Sequence, residues 1–319
     1  MNQPRSRLLR WLRPIGGVAI LAVLVWRVGT GPFVTGLRAI TVGPVLAAAG
    51  ITVLSTVCAA WRWSVVARGL GVDITMPAAV SAYYRSLFVN TVLPGGVLGD
   101  VDRAVRQGRA VNDVRVGLRA VAWERTAGQF VQLALTCVVL LLFPSPVHSA
   151  LPIVVTILAV ALCVVAALHL VGARLRLISK RAWLEVGVAS VIAVGCYTSI
   201  FLIAARTAGS TSSLAHLLPL TMLVLLATAL PTSIGGWGPR EGAAAWLFAA
   251  AGLGASQGIA TATVYGVMVF IACLPGGVLW AVALVRRRRA DRRLPVSRVL
   301  LDRPRPVIVA AQSERRVSV

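Results

Sequence analysis

Charged residues are scarce in this sequence. Only 13% of its 319 residues are Asp, Glu, Lys or Arg, whereas 58% are hydrophobic. A water-soluble domain usually carries about 25% charged residues and about 45–50% apolar ones. The shortage of charge excludes a soluble enzyme and favours a chain whose outer surface faces lipid.

Lysine and acidic residues are the scarcest charged types. Lys180 is the single lysine, and 10 acidic residues stand against 32 basic ones, which gives a formal net charge of +22. The arginines gather at the ends of apolar runs, as expected of topology signals and of contacts with anionic lipid. Because they form no continuous basic stripe, we expect no binding of nucleic acid.

Cysteine and histidine are also sparse, and their spacing fits no metal site. The five cysteines lie inside apolar runs, where small core or lipid-facing side chains are expected, and no CxxC or CxxH spacing occurs. We therefore predict neither a bound metal nor a cofactor. The residues concerned are Cys58, Cys137, Cys163, Cys196, Cys273, His148, His169 and His216.

Long apolar runs are abundant instead. The strong ones cover about residues 14–28, 42–60, 121–143, 151–171, 183–205 and 258–284, and weaker ones cover 77–92 and 214–230. The first follows a basic segment without a convincing cleavage site, so we interpret it as an uncleaved span. Trp61-Arg62-Trp63, after the second run, is typical of an interfacial anchor.

The alternation of basic and uncharged connections predicts the topology. Arg-rich segments at the N-terminus, 62–68, 101–119, 174–181 and the tail alternate with charge-poor loops near 30–41, 144–149 and 206–213. We predict an all-α, polytopic membrane helix bundle of about eight helices with both termini in the cytoplasm. Segments near 77–100 and 214–251 would be broken or re-entrant. Six full spans with two re-entrant pairs would also satisfy the pattern.

The same pattern divides the chain into a membrane domain and two basic tails. Residues 1–13 form a cytoplasmic N-tail, residues 14–284 the membrane domain, and residues 285–319 a basic cytoplasmic C-tail. The C-tail is rich in Arg and Pro and has few apolar runs, so we expect it to be disordered against anionic lipid.

Two Gly-rich breaks carry the functional signal. The first contains Leu93-Pro94-Gly95-Gly96 and continues to Asp100 and Arg103, and the second contains Gly235, Gly236 and Gly238 followed by Arg240 and Glu241. Proline ends the incoming helix, and glycine lets the backbone turn and approach a ligand. Exposed N–H groups and an arginine beside such a break could cradle a lipid phosphate.

The predicted lipid-binding residues come from these breaks and from one charged pair. Glu124 and Arg125 lie near the start of an apolar run, where charges need partners. Neighbouring residues do not face each other on a helix, so Glu124 is expected to pair with Arg103 or Arg240. The complete set is Asn90, Pro94, Gly95, Gly96, Gly99, Asp100, Arg103, Glu124, Arg125, Gly235, Gly236, Gly238, Arg240 and Glu241.

A structural interpretation of the breaks stays open. Leu274-Pro275-Gly276-Gly277 repeats the tetrapeptide without a charge and predicts a kink or a close helix contact. Both breaks could likewise be structural, with their charges at interfacial depth. Their similarity also suggests an internal repeat, an arrangement in which transporters place their sites.

Taken in order, these motifs resemble those of a known family. Asn90 to Arg103, Glu124-Arg125 with Gly128, and Pro231 to Gly242 resemble the lysylphosphatidylglycerol synthase transmembrane region family, also called flippase-like, over about residues 14–284. Asp100 stands where many relatives have Glu. The resemblance implies a polytopic bundle that moves lipids between leaflets. In the best-known members this lipid is made by a fused transferase domain, which we do not expect in residues 285–319.

The resulting hypothesis is a translocase of the cytoplasmic membrane. Its partner would be a phospholipid or a polyprenyl-phosphate-linked lipid, made by a separate lipid-modifying enzyme, and a homo-oligomer is compatible with it. We expect no catalytic residues. One alternative is a membrane enzyme or enzyme subunit acting on a lipid-linked substrate, in which Glu124 or Asp100 would need a neighbouring nucleophile or a bound metal. The other is a scaffold that works through its basic tail.

Overall fold

The computed structural model is helical throughout the residues that it describes, which are 20–93, 96–143, 156, 163, 179–228 and 237–293. This confirms the all-α class. The helices are α1 Ile20–Val28, α2 Gly31–Arg38, α3 Val42–Gly69, α4 Met76–Val92, α5 Leu98–Ala110, α6 Val114–Leu142, α7 Lys180–Thr207, α8 Leu214–Ala227, α9 Pro239–Ala250 and α10 Ala255–Arg293.

Several of these helices are long and apolar enough to cross a membrane. The four that qualify in the described ranges are α3, α6, α7 and the Ala255–Val285 part of α10. The pair α1 and α2, bent by 94°, would make a fifth span if it acts as one. The chain is therefore a polytopic membrane protein. The predicted span at 151–171 (apart from residues 156 and 163), the start of the first span and the C-tail beyond 293 lie outside the described residues.

Packing in the unit that ends at Leu279 relies on small and hydroxyl side chains. Helix α3 lies against α7 and buries Ala59, Ala60 and Ser55. Its threonines satisfy their hydroxyls within the helix, as Thr52 Oγ1 donates to the Ala48 carbonyl at 2.7 Å. Small residues allow such close helix contacts where lipid supplies no hydrophobic driving force. A larger apolar core joins α7, α8, α9 and α10 around Phe201 and the residues Leu217, Leu220, Phe248 and Met268.

The C-terminal unit, Trp280–Val319, is described as far as Arg293 as the end of α10. Its side chains up to Val285 include exposed apolar ones, among them Trp280 and Val282. Such a surface suits a lipid environment.

Two local predictions are wrong. Trp61-Arg62-Trp63 does not end a span, because α3 continues to Gly69 and buries Arg62. The buried acid Glu124 on α6 provides a partner for that arginine, so the helix stays inside the bundle. The predicted loop near 30–41 contains α2, and the basic segment 101–119 forms most of α5 and the start of α6.

The helix order supports the predicted internal repeat. Helices α4, α5 and α6, like α8, α9 and α10, run as a short helix, a break, a second short helix with an acid in its first turn, and a long helix. The close contacts repeat as well. A Cβ on Gly117 would lie 2.1 Å from the Ala104 carbonyl oxygen, and one on Gly258 would lie 2.2 Å from that of Ala244.

The uncharged Leu274-Pro275-Gly276-Gly277 segment is a close helix contact. It lies within α10 without interrupting the helix. A Cβ on Gly276 would lie 2.1 Å from the Tyr84 carbonyl oxygen of α4, so only glycine fits there. This agrees with the structural interpretation of that tetrapeptide.

Candidate functional site

Five charged side chains from α3, α5 and α6 meet beside the first break. We call this group the first-break cluster, and its members are Arg62, Asp100, Arg103, Glu124 and Arg125. Four of them are nearly inaccessible, with exposed fractions of 8% for Arg62, 5% for Asp100, 3% for Arg103 and 0% for Glu124. A charge at mid-membrane costs about 2.5–3.5 kcal/mol on insertion scales, so this burial depends on mutual compensation.

Glu124 is the acceptor at the centre of the cluster. Arg62 donates to its Oε1 through Nε at 2.9 Å and also through Nη2, and Arg103 Nη2 donates to Oε2 at 3.0 Å. The Tyr83 hydroxyl lies 3.2 Å from Oε1 and donates to it. One carboxylate therefore holds side chains from α3, α4 and α5 against α6.

Asp100 is the second acceptor, in the first turn of α5. Its oxygens accept from Ser86 Oγ at 2.9 Å, from Asn90 Nδ2 at 3.0 Å and from Arg103 Nη2 at 3.0 Å, and Arg125 Nη2 is a further donor. The positive end of the α5 dipole also favours a carboxylate here.

Asn90 joins the two sides of the first break. Its Oδ1 accepts the Gly99 backbone N–H at 2.7 Å while its amide nitrogen holds Asp100. The end of α4 thus caps the start of α5, so that the N–H of the buried Gly99 has an acceptor. Gly96, inside the break, has a φ of 62°, a conformation that glycine adopts most easily.

The first-break cluster has an excess of positive charge. Its three guanidinium groups face two carboxylates, which leaves a formal charge of +1. Within the described residues, Arg125 Nε and two nitrogens of Arg103 have no hydrogen-bond partner. The Arg125 side chain is 42% exposed and reaches a cavity. A cluster with excess positive charge that reaches a cavity through an arginine is suited to binding an anion.

That cavity, of about 200 Å³, touches residues of both halves of the repeat, and we call it the central cavity. Polar side chains line much of it, and Tyr197 of α7 and Tyr265 of α10 complete the wall. Its polar lining consists of Arg62, Tyr83, Arg125, Gln129, Gln132, Tyr197, Thr228 and Tyr265.

Among the described residues of the second break, Arg240 and Glu241 form a buried ion pair, which we call the second-break pair. Arg240 donates to Glu241 Oε1 through Nε at 2.8 Å and through Nη2 at 2.5 Å. Glu241 Oε2 accepts the Gly238 N–H at 2.7 Å, so the acid reaches back over the first turn of α9. Gly238 has a φ of 106°, which favours glycine. This pair is formally neutral.

One arginine at each break is held in the same aromatic setting. The Arg103 guanidinium carbon lies 4.5 Å from the centre of the Trp63 ring and 4.2 Å from that of Tyr83. The Arg240 carbon lies 5.0 Å from the Trp237 ring and 5.3 Å from the Tyr265 ring. Each arginine thus packs on one Trp and one Tyr, which favours a desolvated cation.

The structure brings most predicted site residues into two groups. Asn90, Gly99, Asp100, Arg103, Glu124 and Arg125 gather at the first break, whereas Gly238, Arg240 and Glu241 form the second-break pair. Gly96 lies within the first break. Pro94, Gly95, Gly235 and Gly236 lie outside the described residues.

The prediction that Glu124 pairs with an arginine other than its neighbour Arg125 is confirmed. Of the two arginines named as examples, Arg103 binds Glu124, and Arg125 binds Asp100. Arg240 pairs with Glu241 instead. The connection between the breaks is indirect, since Tyr265 both contacts Arg240 and lines the central cavity.

Arg62 is the principal residue that the prediction missed. A charged residue between two tryptophans suggested an interface, yet Ser64 to Ala67, which follow it, are buried. The available signal was the need of Glu124 for a partner. Tyr83 and Ser86 were missed as well, because no feature of their own in the sequence marks them.

Comparison with known proteins identifies the family. The family model of the lysylphosphatidylglycerol synthase TM region matches residues 14–277. No curated protein matches the sequence. The chain therefore belongs to the lysylphosphatidylglycerol synthase TM region family, and the resemblance carried by its motifs is confirmed.

Proposed function

We propose that this membrane protein is a flippase-like translocase for an anionic or phosphate-bearing lipid. The observation that carries the proposal is the excess positive charge of the buried first-break cluster, presented by Arg125 to the central cavity. Such a site recognises a phosphate and rejects a neutral headgroup, because only an anion compensates the unpaired charge.

The binding geometry follows from the exposure of Arg125. Its side chain is 42% exposed and lines the central cavity, so a phosphate oxygen would accept from its guanidinium group. Arg62 also lines the cavity, although Glu124 and Ser190 already engage it. Acyl chains would stay in the bilayer, since about 200 Å³ holds a small headgroup and not a whole lipid.

Transport fits the acids better than catalysis does. Glu124 accepts from two arginines and a tyrosine, and Asp100 accepts from Ser86, Asn90, Arg103 and Arg125. A general base needs a free lone pair directed at its substrate, whereas the oxygens of these carboxylates already accept hydrogen bonds from the side chains named above. We therefore propose that the protein is not an enzyme and that its acids hold the arginines in place.

The setting of this activity is the cytoplasmic membrane, with both termini in the cytoplasm. The alternation of Arg-rich and charge-poor connections supports that orientation. The lipid would be a membrane phospholipid or a polyprenyl-phosphate-linked lipid supplied by a separate lipid-modifying enzyme. The proposal holds for a monomer and for a homo-oligomer alike.

The test is a translocation assay with purified protein in liposomes. Fluorescent phosphatidylglycerol and a fluorescent polyprenyl phosphate are compared with fluorescent glucosylceramide, which has no phosphate. We expect the protein to accelerate movement of the two phosphate lipids over empty liposomes and to leave glucosylceramide unchanged. No acceleration for any lipid contradicts translocation, and equal acceleration of all three contradicts phosphate recognition.

A further inference from the structure

A second and larger cavity lies beside the first-break cluster and shares no lining residue with the central cavity. It has a volume of about 550 Å³ and is lined by residues of α3, the turn before α4, α4 itself and α5. We call it the turn cavity. The residues that carry the argument are Trp63, Arg85, Asp102, Arg103, Arg106 and Gln107.

Gln107 is the unusual member of this wall. The residue is only 8% exposed, yet neither its Oε1 nor its Nε2 has a hydrogen-bond partner in the part of the chain that the structure describes. A buried polar group without a partner costs about 1–3 kcal/mol. A side chain left in this state beside a cavity is explained if a ligand completes its hydrogen bonds.

The neighbouring donors add to this requirement. Arg103 Nη2 serves Asp100 and Glu124, while its Nε and Nη1 have no partner among the described residues. The indole nitrogen of Trp63, a residue 2% exposed, likewise has no hydrogen-bond partner among the described residues. The arginine is thus fixed by one nitrogen and keeps its other two for another acceptor.

The groups on the wall select the chemistry of that acceptor. The lining contains the basic residues Arg85, Arg103 and Arg106 and the acids Asp73 and Asp102. Asp102 forms an ion pair with Arg106, whose Nε lies 2.6 Å from Asp102 Oδ2. The remaining groups are mostly donors, with the Gln107 carbonyl as an acceptor for a hydroxyl. A phosphate that carries a hydroxyl-bearing substituent would accept hydrogen bonds from the donors and donate one to the Gln107 carbonyl.

We propose that the turn cavity is a second phosphate-binding site, in which Gln107 and Arg103 hold the phosphate group. A lipid headgroup and a soluble phosphate ester share this chemistry, and the choice of a lipid rests on the proposed function. Glu124 binds Arg103 of the turn cavity and also binds Arg62 and Tyr83 of the central cavity. One acid thus connects the walls of two sites for the same group.

The test measures occupancy of the turn cavity directly. Ala78, an exposed residue on its wall, is changed to cysteine in the full chain with the five native cysteines replaced by serine. The rate of maleimide labelling of this thiol is measured with dihexanoyl phosphatidic acid, glycerol 3-phosphate or dihexanoylglycerol. We expect phosphatidic acid to slow labelling and dihexanoylglycerol to have no effect.

Two changes of Gln107 tie the protection to this residue. Gln107→Leu should raise the phosphatidic acid concentration for half-protection about tenfold, since it removes one hydrogen bond to a charged group. Gln107→Glu should abolish protection, because it places a carboxylate beside the phosphate. The matched control is Gln257→Leu, which removes a partly buried glutamine that bonds the Ala208 carbonyl and should change nothing.

Each outcome decides the proposal. Protection by phosphatidic acid alone supports a lipid headgroup site, and protection by glycerol 3-phosphate as well supports a site for phosphate from either source. No protection, equal protection by dihexanoylglycerol, or unchanged protection in both Gln107 variants overturns it. If Gln107→Leu does not fold, Gln107→Glu decides. Labelling requires no lipid movement, so protection in a protein that fails to translocate separates this proposal from the proposed function.

Discussion

The two breaks share an architecture but differ in how completely their charged side chains neutralise each other. Each places an acid in the first turn of a short helix and packs an arginine on a Trp and a Tyr. At the second break, Arg240 and Glu241 neutralise each other within one turn. At the first break, five charges from three helices leave one positive charge over.

The difference separates a structural use of the motif from a binding use. A neutral ion pair stabilises a break and has no uncompensated positive charge to attract an anion. A cluster with an uncompensated cation beside a cavity is costly when empty and is compensated by an anionic ligand. A Gly-rich break with a charged pair is therefore not enough to identify a binding site. The first break is distinguished by its unequal numbers of cationic and anionic side chains.

The largest effect is expected from removing the acid on which the first-break cluster depends. Glu124→Gln keeps the shape and leaves three guanidinium groups with Asp100 alone. We expect a loss of about 3–5 kcal/mol in the free energy of unfolding, as found when one partner of a buried pair is removed. Unfolding in mixed detergent micelles measures it. Glu185→Gln, which loses only an ion pair to Arg181 on α7, should cost less than about 1 kcal/mol.

A double substitution distinguishes the neutral second-break pair from the positively charged first-break cluster. Arg240→Met and Glu241→Gln should each cost about 3–5 kcal/mol in unfolding free energy, whereas the double variant should recover most of that loss because no unpaired charge remains. The matched double variant Arg103→Met with Glu124→Gln should recover only part of the loss caused by Glu124→Gln, since Arg62 would still lack its acid. Equally complete recovery at both breaks would show that the clusters are equivalent.

A smaller effect is expected where glycine makes room for a guanidinium. A Cβ on Gly128 would lie 2.6 Å from Arg62 Nη1, and one on Gly266 would lie 2.3 Å from Arg240 Nη2. Both arginines are pinned by acids, so Gly128→Ala and Gly266→Ala should each cost about 1–3 kcal/mol in unfolding free energy. Gly195→Ala on α7 meets no atom within 4 Å and should be neutral or stabilising. Equal stability of all three variants would show that the guanidiniums move freely.

The smallest effect concerns the cap at the first break. Asn90→Ala removes the acceptor of the Gly99 N–H, whereas the second break uses its own Glu241 for the equivalent N–H. We expect a loss of about 0.5–2 kcal/mol in unfolding free energy. Ser199→Ala, whose exposed hydroxyl bonds its own helix, should stay within about 0.5 kcal/mol. A neutral Asn90→Ala would mean that the first break does not depend on this cap.

The sequence contained enough to predict the class and the family. Apolar runs and paired breaks depend on local composition, and the all-α membrane bundle and family membership are confirmed. The pairing of Glu124 away from Arg125 also followed from helical geometry. The same rule failed for Arg240 and Glu241, because a first-turn acid folds back towards Gly238 and brings its neighbour with it.

What the sequence could not reveal depends on contacts between distant segments. Arg62 meets Glu124 across 62 residues, and its flanking tryptophans gave a misleading local signal. Gln107 looked like an ordinary polar residue of a basic segment until α5 buried it beside a cavity. The functional roles of the predicted site residues remain predictions, which the substitutions above address.

The most direct test of the central claim is translocation by Arg125→Gln measured beside Arg115→Gln, an exposed arginine on the same helix. Losing one charge-assisted contact to the phosphate should slow fluorescent phosphatidylglycerol about 10- to 100-fold. Arg115→Gln should match the wild-type rate, and both variants should unfold within about 1 kcal/mol of it, because Asp100 keeps three other donors. A wild-type rate in Arg125→Gln would contradict the claim that the first-break cluster binds the lipid phosphate.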